Sequence, residues 1–228
     1  MSSRPDERSA ADGPDVGNPQ ADVCVRLLGP GEGASALAIA TGAGAPGADE
    51  GGDLQAAIDQ SGGRIEIPEL PGGTGWCFGA TLRDRLVGVV YACSPVAFIL
   101  THGQQQRHYL TRSLVEIEIL AVEASSRGRG VGATLLARAE QHLREHGVRL
   151  FVAKVDATDM AILRWYRHRG YTIARSGETC TIDTPAGTTG IDAGGVRDTQ
   201  WRLAVKAPEH TATPSMSGFR LTPPLTAT

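Results

Sequence analysis

Apolar and polar positions alternate along LVEIEILAV, Leu114 to Val122, as they do in a strand with one wet face. The alternation places Val115, Ile117 and Ile119 on one side and Glu116, Glu118 and Leu120 on the other. A glycine-punctuated loop, EASSRGRGVG, follows and opens into ATLLARAEQHLREHG. There Leu135, Leu136, Ala139 and Leu143 recur at helical spacing, with Arg138, Glu140 and Arg144 left to water, until Gly147 ends the run. VRLFVAKV is apolar enough for a strand buried on both faces, and strand, helix, strand in this order predicts a right-handed parallel crossover. Thr158 is placed to cap a second helix, DMAILRWYRHR, closed by Gly170. YTIARSG and TQWRLAVK read as the last strands, separated by a Gly/Thr/Asp-rich stretch from Asp183 to Asp198.

Upstream the patterned runs are shorter. VCVRLLG (Val23 to Gly29) predicts a first strand and ASALAIA (Ala34 to Ala40) a short helix. Asp53 is placed to cap DLQAAIDQ, with Leu54, Ala57 and Ile58 on one face. RIEIPEL is a short extended piece, and WCFGATL and RLVGVVYAC form a hairpin that turns near Arg83 and Asp84. VAFIL (Val96 to Leu100) extends the sheet, and the polar run THGQQQRHYLTRS after it is a loop. Residues 1–20 are too poor in apolar side chains to repay ordering and predict a disordered arm. From Ala207 to the end Pro and Thr dominate and predict a disordered tail, which leaves one domain over residues 21–206.

Composition narrows the class. At 228 residues and 41% hydrophobic the chain can bury one sizeable core. No run approaches the length of a membrane span, and MSSRPDERSAADGPDVGNPQ lacks the pattern of a signal peptide, so a cytoplasmic protein is expected. Four separated cysteines, Cys24, Cys77, Cys93 and Cys180, signal neither zinc nor a disulfide framework, and His102 and His108 have no third ligand, so no metal is expected. Net charge is −3, yet residues 127–169 hold nine Arg or Lys against four Asp or Glu, which favours an anionic ligand there.

Backbone amides at a helix start attract phosphate, and three templates compete for RGRGVGA. A P-loop needs a lysine that this loop lacks. The dinucleotide fingerprint is met by Gly128, Gly130 and Ala133, with Asp156 at the end of the next strand where a ribose acid would sit. However, five residues, Glu123 to Arg127, separate the strand from Gly128, and the repeated strand-helix units of a doubly wound fold are missing. R-x-x-G-x-G is met by Arg127, Gly130 and Gly132. Downstream, Asp159, Ile162, Tyr166, Gly170 and Tyr171 echo N-x-x-A-x-x-x-Y-x-x-x-G-[FY], with Asp for Asn and Ile for Ala. On these residues the chain resembles the GNAT family of N-acetyltransferases, over about residues 76–175.

The resemblance implies an α/β fold of the GNAT acyl-CoA N-acyltransferase type, a mixed central β-sheet flanked by helices. It implies acetyl-CoA as co-substrate, its pyrophosphate on the amides of Arg127, Gly128, Arg129, Gly130, Val131, Gly132 and Ala133. The pantetheine arm would run along Leu120, Ala121 and Val122, with the Leu120 N–H facing the thioester carbonyl. Tyr166 would match the general acid that protonates the thiolate, and Glu116 or Glu118 the general base, a choice the sequence leaves open. Asp159 stands where a family Asn meets the cofactor, or acts as a helix-start acid. The partners implied are acetyl-CoA and an amine acceptor, with no nucleic acid or membrane, and family members are often homodimers. Two alternatives remain at this point: a non-catalytic acyl-CoA-binding regulatory module and an NAD-binding Rossmann-type protein. The acceptor carries no diagnostic motif, although Asp49, Glu50 and Asp53 offer charge to a cationic amine.

Overall fold

In a computed structural model, residues 23–45, 52–194, 200–215 and 217–223 are described. In chain order the first half contains β1 (Val23–Leu27), α1 (Gly33–Gly42), α2 (Gly52–Ser61), β2 (Arg64–Glu66), β3 (Thr74–Leu82), β4 (Arg85–Cys93), α3 (Val96–Leu100) and α4 (Gln104–Ser113). The second half contains β5 (Leu114–Val122), α5 (Val131–Glu145), β6 (Leu150–Asp156), α6 (Met160–Arg167), β7 (Thr172–Ile173), β8 (Thr179–Thr184), β9 (Gly187–Ile191), β10 (Trp201–Lys206), β11 (Thr211–Ser215) and β12 (Gly218–Thr222).

The main sheet runs β1-β3-β4-β5-β6-β10-β7, with β2 beside β1 on the same edge of β3. It is mixed: β5 and β6, linked through α5, pair in parallel and its other neighbours are antiparallel. That topology is not the doubly wound parallel sheet a Rossmann-type protein needs. The hairpin turns at Arg83 and Asp84, both at positive φ (50° and 61°), the two-residue geometry that matches strand twist. On one face of the sheet α5 and α6 bury Leu135, Leu136, Ala139, Leu143 and Leu163 against Phe78, Val90 and Phe151. The other face is shared by α1 and α2 near β4 and by α3 and α4 near β6 and β10.

Several expectations change. VAFIL is a helix, not a strand, and the Gln-rich run behind it is a helix rather than a loop. Gln, Arg and Leu favour helix intrinsically, and burial of Ile99 and Leu110 in one cluster holds both helices to the sheet. In α5, Glu140 is buried rather than facing water. Asp159, not Thr158, caps α6: its Oδ1 accepts from the amides of Ala161 (3.0 Å) and Ile162 (2.9 Å), while Thr158 donates to Asp156. Asp53 lies in the first turn of α2 rather than before it.

The C-terminal stretch expected to be a disordered tail supplies two strands. β11 and β12 join β8 and β9 in a second sheet, ordered β11-β12-β8-β9, whose Cys180, Ile182, Phe219 and Leu221 pack with Leu203 and Val205. The expected N-terminal arm, Asp49 and Glu50 lie outside the described residues. No helix among the described residues is long and apolar enough to cross a membrane.

Candidate active site

The site begins where two strands part. β5 is nine residues long, but it pairs with β6 only over Leu114, Val115 and Glu116, opposite Leu150, Phe151 and Val152. The cause is local to β5. Its register on β4 jumps from Ile117 opposite Ala92 to Ile119 opposite Tyr91, so Glu118 is an extra residue in a bulge.

The bulge flips the faces beyond it, a correction to simple alternation. Val115 and Ile117 pack under α5, but after Glu118 it is Leu120 and Val122 that do so, while Ile119 and Ala121 turn to α1 and α2. Backbone polar groups also alternate in direction along a strand. The Glu123 amide donates to the Val87 carbonyl of β4 (2.9 Å), so Ala121 points to β4 as well, and the N–H and C=O of Leu120 and Val122 point into the gap that β6 has left.

At the far end of the gap lies the glycine loop. Gly128 and Gly130 have φ of 74° and 79°, which only glycine adopts readily, and Gly130 caps α5 in that left-handed state. The first helical bond is Thr134 N–H to the Gly130 carbonyl (3.0 Å). Among the described residues, the amides of Gly128, Arg129, Gly130, Val131, Gly132 and Ala133 donate to no protein acceptor. A Cβ on Gly132 would stand 3.4 Å from Val122 Cγ2 and 3.7 Å from Trp165 Cζ2, filling the floor of the loop. Arg127 Nε donates to the Val122 carbonyl (3.0 Å), tying the loop to the strand end, while Arg129 is exposed.

On the opposite face of the sheet a cleft of about 1320 Å³ opens along β4 and β5, lined by Tyr91, Glu116, Glu118, Lys154 and Trp201 among others. Both predicted glutamates therefore reach one cavity. Burial raises the Glu116 carboxyl above its ordinary pKa; the Lys154 ammonium, 3.2 Å from Oε1, pulls against that, and Glu118 adds to it. A smaller chamber of about 240 Å³ shares Glu116 and Lys154 and continues toward Asp192.

Tyr166 lies on the α5 side, in one cluster with Leu120 and Val122. Its ring meets Trp165 and Tyr171 edge-on at 5.1 and 4.9 Å, and its hydroxyl has no hydrogen-bond partner among the described residues. Burial, then the Glu140 carboxylate, push that hydroxyl's pKa up, so it stays protonated across the neutral range. Glu140 accepts from Tyr171 Oη (2.8 Å) and Lys206 Nζ (2.5 Å), a buried network behind Tyr166 that helical spacing alone did not reveal. His102 bonds Thr189 and the Phe98 carbonyl, and no group of three or more metal-ligating side chains occurs among the described residues.

A parallel pair that splays beside a helix start lined with free amides, with a carboxylate cleft on the other face, is the architecture of acyl-CoA N-acyltransferases. The acetyltransferase (GNAT) family model matches residues 55–171, more than half of the chain, and the chain belongs to that family of enzymes. No curated protein sequence matches it.

Among solved structures it is similar to yncA of Salmonella typhimurium with acetyl-CoA, at 16% identity and TM-score 0.53, covering 86% of this chain and 99% of that one. It is also similar to the PaiA N-acetyltransferase of Thermoplasma acidophilum in complex with coenzyme A, at 12% identity and TM-score 0.52, covering 81% and 98%. A third is the ribosomal-protein-alanine N-acetyltransferase of Brucella melitensis, at 15% identity and TM-score 0.51, covering 81% and 99%. Sequence reasoning missed Lys154 and Glu140. The signal for the first was a lone charge in the apolar run LFVAKV.

Proposed function

We propose that this chain is an acetyl-CoA-dependent N-acetyltransferase that moves the acetyl group directly to an amine. The observation that carries the reading is the parting of β5 and β6 beyond Glu116, between a row of free amides and a cleft that holds two carboxylates. The residues present fit the co-substrate: six unpaired amides suit a pyrophosphate, and the gap exposes the polar backbone of Leu120 and Val122. Acetyl-CoA supplies the acetyl group as a thioester.

The amides of Gly128 to Ala133 hold the phosphates, and the dipole of α5 adds roughly 0.3–2 kcal/mol. Leu120 and Val122 orient the pantetheine arm through their backbone, and the Leu120 N–H stabilises the oxyanion, a role worth about 3–4 kcal/mol in other enzymes. Bringing an amine of pKa about 10.4 to its neutral form at pH 7 costs about 4.6 kcal/mol. Glu116 is the group to take that proton, because burial raises its affinity for one and it opens on the cleft. Tyr166, buried and protonated, gives a proton to the leaving sulfur. Asp159 acts as the cap of α6, with Oδ1 already engaged by two amides.

Release of free thiol over a panel of amines, with acetyl-CoA binding followed by calorimetry, tests the reading. Wild type turns over, and Tyr166→Phe binds acetyl-CoA but loses about 10²-fold or more in kcat. Unchanged kcat removes Tyr166 from the chemistry. Tight binding without release on any amine makes the chain a non-catalytic acyl-CoA module instead.

A further inference from the structure

Of 22 basic residues only two are lysine, Lys154 and Lys206. Lys206 faces α5 and is held there by Glu140 beneath the Tyr171 ring. Lys154 faces the other way. It stands on β6 two residues beyond Val152, whose pairing with Glu116 is the last before β5 and β6 part, so it borders the mouth of the gap. Its side chain is nearly half exposed, lines both the main cleft and the smaller chamber, and holds Nζ 3.2 Å from Glu116 Oε1. A lysine amine is thus already seated against the carboxylate that faces the acceptor cleft.

We propose that Lys154 is an internal acceptor, so that the protein acetylates its own Lys154 from acetyl-CoA when no amine substrate occupies the cleft. This rests on the N-acetyltransferase reading above. In the step, Glu116 takes one proton from the Lys154 ammonium, and Nζ forms a bond to the acetyl carbonyl carbon. The carbon–sulfur bond breaks with its electron pair leaving on sulfur, and the Tyr166 hydroxyl protonates the thiolate. The second Nζ proton is lost to water as the amide forms, Tyr166 is reprotonated from solvent, and the products are Nε-acetyl-lysine and free CoA. The amide carries no charge, so the modification strips Glu116 of its counter-cation and reshapes the acceptor cleft, a form of self-regulation.

The test is incubation of the full chain with acetyl-CoA alone, read by intact mass and peptide mapping. One acetyl group is expected, on Lys154, absent in Lys154→Arg, and appearing about 10²-fold more slowly in Glu116→Gln. Lys206 serves as the internal control. Equal labelling of both lysines, or a rate that Glu116→Gln leaves unchanged, marks unassisted acylation from solution and overturns the proposal. An unmodified Lys154 with acetyl-CoA alone, from a preparation that acetylates an added amine in a parallel reaction, overturns it and leaves the enzyme reading standing. Transfer to neither overturns both.

Discussion

Two lysine–glutamate pairs lie on opposite faces of the main sheet, and they are built differently. In Glu140–Lys206 the side chains are 6% and 21% exposed, and Tyr171 Oη supplies a third partner to the carboxylate. In Glu116–Lys154 the side chains are 12% and 46% exposed, no third hydrogen-bond partner closes the pair among the described residues, and a cleft opens beside it. The first pair joins α5, β10 and the segment after α6 behind Tyr166, and its groups are used up by that task. The second leaves a carboxylate whose pKa burial has raised next to an amine that water and substrate can reach. The same two residue types give architecture where the site is closed and chemistry where it is open.

Removing one partner from each pair tests the contrast. Glu140→Ala strands the Lys206 ammonium and the Tyr171 hydroxyl where water is scarce, so it should lower unfolding free energy by about 3–5 kcal/mol in urea titrations. A loss under about 1 kcal/mol would place this pair with surface pairs and remove the difference. Glu116→Gln should do the reverse. Solvent screens Lys154, so stability should change by less than about 1 kcal/mol, while acetyl transfer falls about 10²-fold. Should Glu116→Gln unfold the protein as readily as Glu140→Ala, its role is structural.

How far these pairs were legible in the sequence follows from spacing. The strand, the loop and the start of α5 could be read because period two, positive-φ glycines and period 3.6 succeed one another within thirty residues. The bulge left a trace: ILAV breaks the alternation immediately after Glu118. Glu140 stands four residues after Leu136 and three before Leu143, on the buried stripe of α5, yet its charge marked it for water. What turned it inward was Lys206, 66 residues later, and no local pattern carries such a partner. The second sheet was hidden for another reason. TATPS is almost wholly polar because β11 lies exposed at a sheet edge, and only Cys180, Ile182, Phe219 and Leu221 inside the sheet show its alternation.

The smallest effect expected is also the sharpest on Glu116. If its carboxylate is the base, transfer rises with pH as Glu116 ionises, and the acid limb of the pH–rate profile follows its pKa. Burial raises that pKa, Lys154 lowers it and Glu118 raises it. Lys154→Met removes the lowering charge, so ionisation requires higher pH and the limb should move alkaline. Glu118→Gln removes a raising charge, so the limb should move acidic. Opposite shifts from two neutralising substitutions at one cleft single out the group between them. A profile that moves the same way in both variants, or in neither, assigns the base to another group, and Glu116–Lys154 then differs from Glu140–Lys206 in exposure alone.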